Sequence, residues 1–258
     1  MQLLNHKNAI IYGAGGSIGG AVARAFAKEG ARVFLAGRTL APLTIVEKDI
    51  LAAGGKAETI VTDALDEKST AKTVETVYSK AGSIDISFNA VNVEDKQGMT
   101  LDEMELEDFI RPIHIAMRSQ FITTKAAAKY MLKQGSGVIL SITATPAAKA
   151  YALAGGFGPT CSAIEGFSRN LAAELSPKGI RVVCIRSAGS PDSEVFKKAL
   201  AKQVKLAQEE ITDIAKDTML KRLPLMKEIA SVAVFLVSEQ ASGMTGTSVN
   251  VTCGTTID

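Results

Sequence analysis

The chain has 258 residues, of which 47% are hydrophobic and 22% are charged, so it is long enough for a domain that buries both faces of a sheet. Its 29 Lys and Arg residues nearly balance its 27 Asp and Glu residues, and we therefore expect neither a nucleic-acid nor a membrane partner. No stretch approaches the ~18 apolar residues of a spanning helix, and no signal peptide is recognisable. Three cysteines at spacings unlike a metal site favour free thiols in the cytoplasm and no bound metal.

Strand-like apolar runs alternate with helix-like segments along the whole chain, a pattern typical of βαβ units and a parallel sheet. The predicted strands are Asn8–Tyr12, Arg32–Ala36, Ala57–Val61, Ile84–Asn89, Gly137–Ile142, Arg181–Ile185 and Thr247–Thr252. The predicted helices are Ile18–Glu29, Ala41–Ala53, Glu67–Lys80, Leu106–Leu132, Pro159–Leu175, Ser193–Asp217 and Lys227–Ser238. The connections are short, so residues 1–258 are predicted to form a single doubly wound α/β domain with about seven parallel strands.

A glycine-rich turn joins the first predicted strand to the first predicted helix. Residues 12–19 read YGAGGSIG. Glycines permit a tight turn and let backbone N–H groups approach a pyrophosphate, which the helix N-terminus also attracts. A tight turn that binds nothing is the alternative. The residues from which we expect nucleotide contacts are Gly13, Gly16, Ser17, Ile18 and Gly19.

Residues 137–185 add a second recognisable pattern. Strand-like VILSI is followed by EGFSRNLAAELSPKGIRV, which reads as a helix and then a strand. Together with the glycine turn, these segments resemble the short-chain dehydrogenase/reductase family, and the resemblance covers nearly the whole chain. It implies a Rossmann-type fold, a nicotinamide cofactor and oxidoreductase activity. It also implies a substrate lid at 189–224, for which an amphipathic surface helix is the alternative, and a dimer interface, often within a tetramer, on the two long helices Leu106–Leu132 and Pro159–Leu175.

The resemblance places non-equivalent residues at the four polar positions that the family uses for catalysis. In the family an Asn, a Ser, a Tyr and a Lys hold the substrate oxygen and move its proton, and the ammonium lowers the pKa of the Tyr. Loss of a general acid typically removes ~10²–10⁴-fold in rate, so we do not expect the usual mechanism here. The corresponding residues of this chain, in the same order, are Ala116, Ala144, Phe157 and Cys161.

Other side chains near these positions are candidates to replace the family's catalytic residues. Tyr151 and Lys149 lie on the loop after the predicted strand, but their order and spacing are wrong for the family pair. Thr145, next to Ala144, could hold a substrate oxygen but would not readily ionise. Cys161, near a helix N-terminus, has two interpretations: a thiol with a lowered pKa or a buried, inert thiol. The sequence therefore leaves the catalytic residues open.

The end of the second strand indicates which cofactor is used. Gly37 stands where NAD-preferring members of the family carry an acid for the ribose hydroxyls. Without that carboxylate a 2′-phosphate is not repelled, and Arg38 can bind it through a charge-assisted hydrogen bond. A surface cation is the alternative for Arg38. We therefore predict NADP(H), and the further contacts implied by the resemblance are Thr39, Asp63, Ala64, Asn89 and Ala90.

Two functional hypotheses follow from the sequence. The first is an NADP(H)-binding oxidoreductase with an altered site, which would suit an enone-like double bond because water can protonate the resulting enolate. The second is a protein without catalytic activity, either an NADP(H) sensor or a subunit paired with an active homologue.

Overall fold

The computed structural model describes residues 2–194, 197 and 215–257. One parallel sheet has the strand order β3-β2-β1-β4-β5-β6-β7. Its strands are β1 (Asn8–Tyr12), β2 (Arg32–Gly37), β3 (Lys56–Val61), β4 (Ile86–Asn89), β5 (Gly137–Ala144), β6 (Ile180–Ser187) and β7 (Thr247–Val251). The helices of the described residues are α1 (Ser17–Lys28), α2 (Leu40–Ala52), α3 (Glu67–Ala81), α4 (Leu106–Gln134), α5 (Phe157–Leu175) and α6 (Met226–Val237). The predicted single-domain, doubly wound Rossmann-type fold with seven parallel strands is confirmed.

The sheet is buried between two hydrophobic clusters, one on each face. Successive side chains of a strand point to opposite faces, so Ile11 packs in one cluster and Ile10 in the other. The Ile11 cluster includes Phe26 of α1, whereas the Ile10 cluster includes Met131 of α4. Apolar residues on both faces explain why the strands appear in the sequence as short, nearly continuous hydrophobic runs.

Several helix ends follow from local sequence. Asp66 precedes α3 and accepts hydrogen bonds from the backbone N–H groups of Lys68 and Ser69, at 2.7 and 3.0 Å. Such a cap satisfies donors that a helix N-terminus otherwise leaves unpaired. Gly135 ends α4 in the left-handed conformation, with φ +68, which glycine adopts without steric cost.

The boundaries of some elements differ from the predicted ones. The fourth strand begins at Ile86 and not at Ile84; Ile84 is buried all the same, which explains its apolar signal. Helix α5 begins at Phe157, two residues before the predicted start at Pro159, because proline is tolerated in the first turn of a helix. Most of the predicted helix Ser193–Asp217 and much of the predicted lid at 189–224 lie outside the described residues.

The strand order fixes where a ligand can bind. Tyr12, the last residue of β1, is in register with Ala36 of β2 on one side and with Asn89 of β4 on the other. The three strands therefore end at about the same level. The chain runs from β1 through β2 to β3 on one side of β1 and then crosses to β4 on the other side. This is the switch point at which open parallel sheets form a crevice. Among the described helices, none is long and apolar enough to cross a membrane.

Candidate cofactor cleft and catalytic positions

A cleft lies beyond the carboxyl ends of the first four strands. It is lined by the turn after β1, the turn after β2, the segment after β3 and the loop after β4. This is the place at which a doubly wound sheet binds a nucleotide. The predicted cofactor residues that line it are Gly13, Gly16, Arg38, Thr39, Asp63, Ala64 and Ala90. The structure thus brings together residues from four separate parts of the sequence.

The glycine turn is held tightly against its surroundings. Gly13 has φ +74, and its N–H group donates to the carbonyl of Ala36 at 3.0 Å. A Cβ atom on Gly13 would lie 2.3 Å from the carbonyl oxygen of Ala90, and one on Gly19 would lie 2.3 Å from the carbonyl oxygen of Gly13. No real Cβ contact is that short, so both positions require glycine. The turn can therefore sit close to β4 while its backbone faces the cleft.

Four predicted cofactor residues do not line the cleft. Ser17, Ile18, Gly19 and Asn89 are absent from its lining. The buried Asn89 amide donates to the hydroxyl of Thr123 at 3.1 Å, and its Oδ1 accepts from the N–H of Val91 at 3.1 Å. Asn89 therefore shapes the turn that presents its neighbours to the cleft.

The hydroxyl of Ser17 contacts the segment that follows β6. Its Oγ accepts a hydrogen bond from the backbone N–H of Glu194 at 2.9 Å. This contact joins the glycine turn to residues within the predicted lid region.

The end of the cleft at β2 and β3 carries charged side chains. Arg38 lines the cleft beside Gly37, and its Nη2 donates to Oε1 of Glu94 at 3.0 Å. Asp63 is exposed, and its Oδ1 accepts from the N–H of Leu65 at 2.9 Å, a local turn that fixes the carboxylate at the rim. Glu94 comes from the loop after β4, and the sequence analysis did not identify it.

Tyr12 is a second cleft residue that the sequence analysis missed. Its side chain is buried, and its hydroxyl has no hydrogen-bond partner among the described residues. Burial raises the pKa of this hydroxyl well above its ordinary value of 10.0. A buried donor without a partner costs free energy, so its presence in a residue that lines the cleft needs explanation.

The four family catalytic positions lie outside this cleft lining. Ala116 on α4 and Cys161 on α5 are 2% and 1% exposed, and Ala116 packs against Ile164 and Cys184. Burial raises the pKa of the Cys161 thiol, although hydrogen bonds with Thr143 and the Ala144 backbone oppose this shift. The raised pKa supports the second interpretation of Cys161, a buried and inert thiol.

The remaining two positions are partly exposed and lie near Cys161. Ala144 ends β5 opposite Ser187, and its backbone contacts the Cys161 thiol. Phe157 is half-buried and is the first residue of α5. Residues four apart lie on one face of a helix, so Phe157 and Cys161 share a face of α5. Ala144 and Phe157 lie at the end of β5 and at the start of α5, and neither side chain offers an acidic proton.

The same face of α5 carries a buried ion pair that sequence analysis did not find. Glu165 lies one turn after Cys161 and is 4% exposed. Its two carboxylate oxygens accept from Nε and Nη2 of Arg186 on β6, both at 2.8 Å. A bidentate pair of this kind fixes both side chains. The Glu165 carboxylate near Cys161 is thus already engaged.

The two replacement candidates lie on the loop after β5. Tyr151 is 40% exposed, with the Lys149 ammonium 5.5 Å from the centre of its ring. Thr145 is buried, and its carbonyl accepts from the N–H groups of Ala148 and Lys149 in a short 3₁₀ turn. Neither lines the cleft. Within the described part of the chain, no group of three or more His, Cys, Asp or Glu side chains could hold a metal ion.

Comparison with known proteins gives matches over nearly the full length. Residues 13–256 match the family model described as enoyl-(acyl carrier protein) reductase. Oxidoreductase UcpA of Escherichia coli O157:H7 is 32% identical over 269 residues, covering 100% of this chain and 97% of its own length. The crystal structure of NAD⁺-bound xylitol dehydrogenase is 25% identical, with a TM-score of 0.90 and coverage of 97% and 99% of the two chains. A Beutenbergia cavernae structure with NADP bound at low occupancy shares the fold, with a TM-score of 0.86, 24% identity and coverage of 98% and 97%.

Proposed function

Since this chain belongs to the short-chain dehydrogenase/reductase family of oxidoreductases, we propose that it uses NADP(H) and that its catalytic site departs from the family's usual one. The observation that carries the cofactor assignment is Arg38, which lines the cleft directly after Gly37. A guanidinium at this place can bind a 2′-phosphate, and the second strand supplies no carboxylate to repel it. The related structures with NAD⁺ and with NADP are consistent with either nicotinamide cofactor in this fold.

The described residues fit such a cofactor along the length of the cleft. In the turn after β1, the N–H groups of Gly13, Ala14 and Gly16 already donate to backbone carbonyls, so the N-terminus of α1, which begins at Ser17, is the part that suits the pyrophosphate. Arg38 and Thr39 suit the phosphorylated ribose, and Asp63 with Ala64 suits the adenine. Tyr12, whose buried hydroxyl has no partner among the described residues, also lines this cleft. When bound, the nicotinamide supplies or accepts a hydride.

The residues around the end of β5 determine which substrates are compatible. Phe157 has no acidic hydrogen, and Cys161 is buried as a neutral thiol, because burial raises its pKa. Ala144 cannot donate a hydrogen bond from its side chain. We therefore propose that the chain delivers no proton to a substrate oxygen at this place and that the proton of the product comes from water.

A carbon–carbon double bond conjugated to a carbonyl is the substrate class that suits this site. Its reduction requires protonation at carbon, which water can perform, and not at a carbonyl oxygen held by the enzyme. The description of the matching family model, which names an enoyl reductase, supports the same class.

The test is turnover of NADPH with a matched pair of substrates, an enone and the corresponding saturated ketone. We expect NADPH to be oxidised with the enone and not with the ketone. Reduction of the ketone alone would contradict the substrate class. Binding of NADPH without turnover across a panel of enones and ketones would contradict the oxidoreductase activity and support a sensor.

We also propose that α4 contributes to a subunit interface. Ile110, Phe121 and Leu132 are exposed apolar residues on α4 and follow one another at intervals of eleven residues. Eleven residues correspond to about three helical turns, so the three side chains share one face. Light scattering of the purified protein tests this proposal: a dimer or tetramer is expected, and Phe121→Lys should shift it toward the monomer. The lid assigned to residues 189–224 stays a proposal of the same kind.

A further inference from the structure

One ion pair crosses the cofactor cleft. Arg38 follows β2, and Glu94 belongs to the loop after β4, so the two side chains approach from opposite sides of β1. Arg38 Nη2 lies 3.0 Å from Glu94 Oε1, and both residues line the cleft. The cation assigned to the 2′-phosphate therefore already has a carboxylate partner within the site.

The backbone of the loop directs Glu94 toward the cleft. The N–H of Glu94 donates to Oδ1 of Asn92 at 2.7 Å, which forms a local turn. Glu94 itself has φ +56, a conformation that is uncommon for residues other than glycine, asparagine and aspartate. Asn92 also lines the cleft. The backbone conformation of the turn thus directs the Glu94 carboxylate toward the cleft, in addition to the flexibility of its side chain.

We propose that Glu94 determines cofactor specificity by competing with the 2′-phosphate of NADP(H) for Arg38. This inference rests on the proposed use of NADP(H). A 2′-phosphate must displace the carboxylate from Arg38 and then lies near a second negative charge, and both effects oppose binding. NAD(H) carries a hydroxyl group in place of the 2′-phosphate, so its binding requires no displacement of Glu94 and suffers no charge repulsion. Glu94 therefore reduces the preference for NADP(H) that Gly37 and Arg38 produce.

The exposure of the pair sets the size of the effect. The side chains of Arg38 and Glu94 are 62% and 47% exposed. Exposed ion pairs contribute little because water screens them, so removal of the Glu94 charge should strengthen NADPH binding by roughly threefold to tenfold and not by orders of magnitude. The effect on NADH should stay below about twofold, since no phosphate is present.

The experiment is calorimetric titration of NADPH and, separately, NADH into the wild-type protein and Glu94→Gln. Asp49→Asn is the matched control, because it removes the same charge and breaks another exposed pair, Arg24–Asp49 at 2.6 Å, whose residues are outside the cleft lining. We expect E94Q to lower the Kd of NADPH by roughly threefold to tenfold and D49N to leave both Kd values unchanged. Glu94→Asn serves as a second variant, because asparagine tolerates a positive φ.

The variant Arg38→Gln, alone and combined with E94Q, tests whether Glu94 acts through Arg38. If the carboxylate acts by occupying Arg38, the E94Q effect on NADPH should shrink in the R38Q background. An unchanged or weaker NADPH affinity in E94Q and E94N, or an equal gain in D49N, would overturn the competition. Failure of the wild-type protein to bind either nucleotide would instead overturn the proposed cofactor, so the two failures are distinguishable.

Discussion

The cleft beyond β1–β4 and the region where β5 meets α5 differ in what they present to a ligand. The cleft is lined by a glycine turn, an arginine and carboxylates. At the end of β5, the family's polar positions carry an alanine, a half-buried phenylalanine and a buried cysteine. Under the proposed function, nucleotide binding and proton delivery depend on different parts of one sheet edge, so the first can be kept while the second changes.

Breaking the buried ion pair should disturb the β5–α5 side most strongly. Glu165→Gln removes the carboxylate that the Arg186 guanidinium contacts, and loss of one partner of a buried pair typically costs about 3–5 kcal/mol of unfolding free energy. Urea unfolding measures this change. Glu174→Gln, at an exposed position on the same helix, is the control and should stay within about 0.5 kcal/mol of wild type. A wild-type stability for E165Q would show that the pair contributes little to the fold.

Changing Gly13 should damage the cofactor cleft itself. Gly13→Ala places a Cβ atom 2.3 Å from the Ala90 carbonyl oxygen at a position with φ +74. The left-handed conformation and the overlap together should cost about 2–4 kcal/mol, and nucleotide binding should be lost. Gly243→Ala, where a Cβ atom has open space, is the control. Unfolding by urea combined with NADPH titration checks both parts, and unaltered binding by G13A would contradict the role of the turn.

Restoring the family residues should convert the altered site into the usual one. The triple variant Ala144→Ser, Phe157→Tyr and Cys161→Lys regains a proton donor and the cation that lowers its pKa, so ketone reduction with NADPH should rise at least ~100-fold. The double variant without the lysine is the control and should gain much less. If the triple variant folds, binds NADPH and still reduces no ketone, these positions are not where the proton is delivered.

Removing the Tyr12 hydroxyl should have the smallest effect. Tyr12→Phe deletes a buried donor that has no partner among the described residues, so the unfolding free energy should stay within about 1 kcal/mol of wild type or rise. Burial raises the Tyr12 pKa above 10.0, so the folded protein retains this proton when the unfolded chain loses it. Its contribution is therefore fully present below about pH 10 and is lost as the pH rises further.

Thermal unfolding at increasing alkaline pH measures that contribution. The Y12F variant should lose less stability above pH 10 than the wild-type protein does. Tyr151→Phe, at an exposed tyrosine, controls for the loss of a phenol. An identical alkaline slope in Y12F and wild type would contradict the buried, neutral state of the Tyr12 hydroxyl.

Much of the fold and part of the site could be predicted from the sequence for physical reasons. Apolar runs that alternate with helix-like segments indicate βαβ units, and a glycine turn directly after a strand indicates the end of β1. Parallel strands carry their carboxyl ends at one edge of the sheet, so the sequence alone predicts that Gly13, Arg38 and Asp63 share one cleft. The cofactor residues that line the cleft follow from this rule.

The interactions between distant side chains could not be predicted. Arg38 and Glu94 are 56 residues apart in the sequence. They come into contact because the loops that follow β2 and β4 lie at the same edge of the sheet. Glu165 and Arg186 meet because α5 packs beside β6, which no local pattern specifies. The pKa of the Cys161 thiol is raised by burial among neighbouring elements, which its position near a helix N-terminus did not indicate. Packing geometry, and not residue type, decided each of these outcomes.

Calorimetric titration of the wild-type protein with NADPH and with NADH tests the central claim most directly. The account predicts that both nucleotides compete for one site and that NADPH binds more tightly, because Arg38 faces the cleft and Gly37 brings no carboxylate. Tighter binding of NADH would contradict the NADP(H) assignment. Absence of binding by either nucleotide would contradict the proposal that the cleft beyond β1–β4 is a cofactor site.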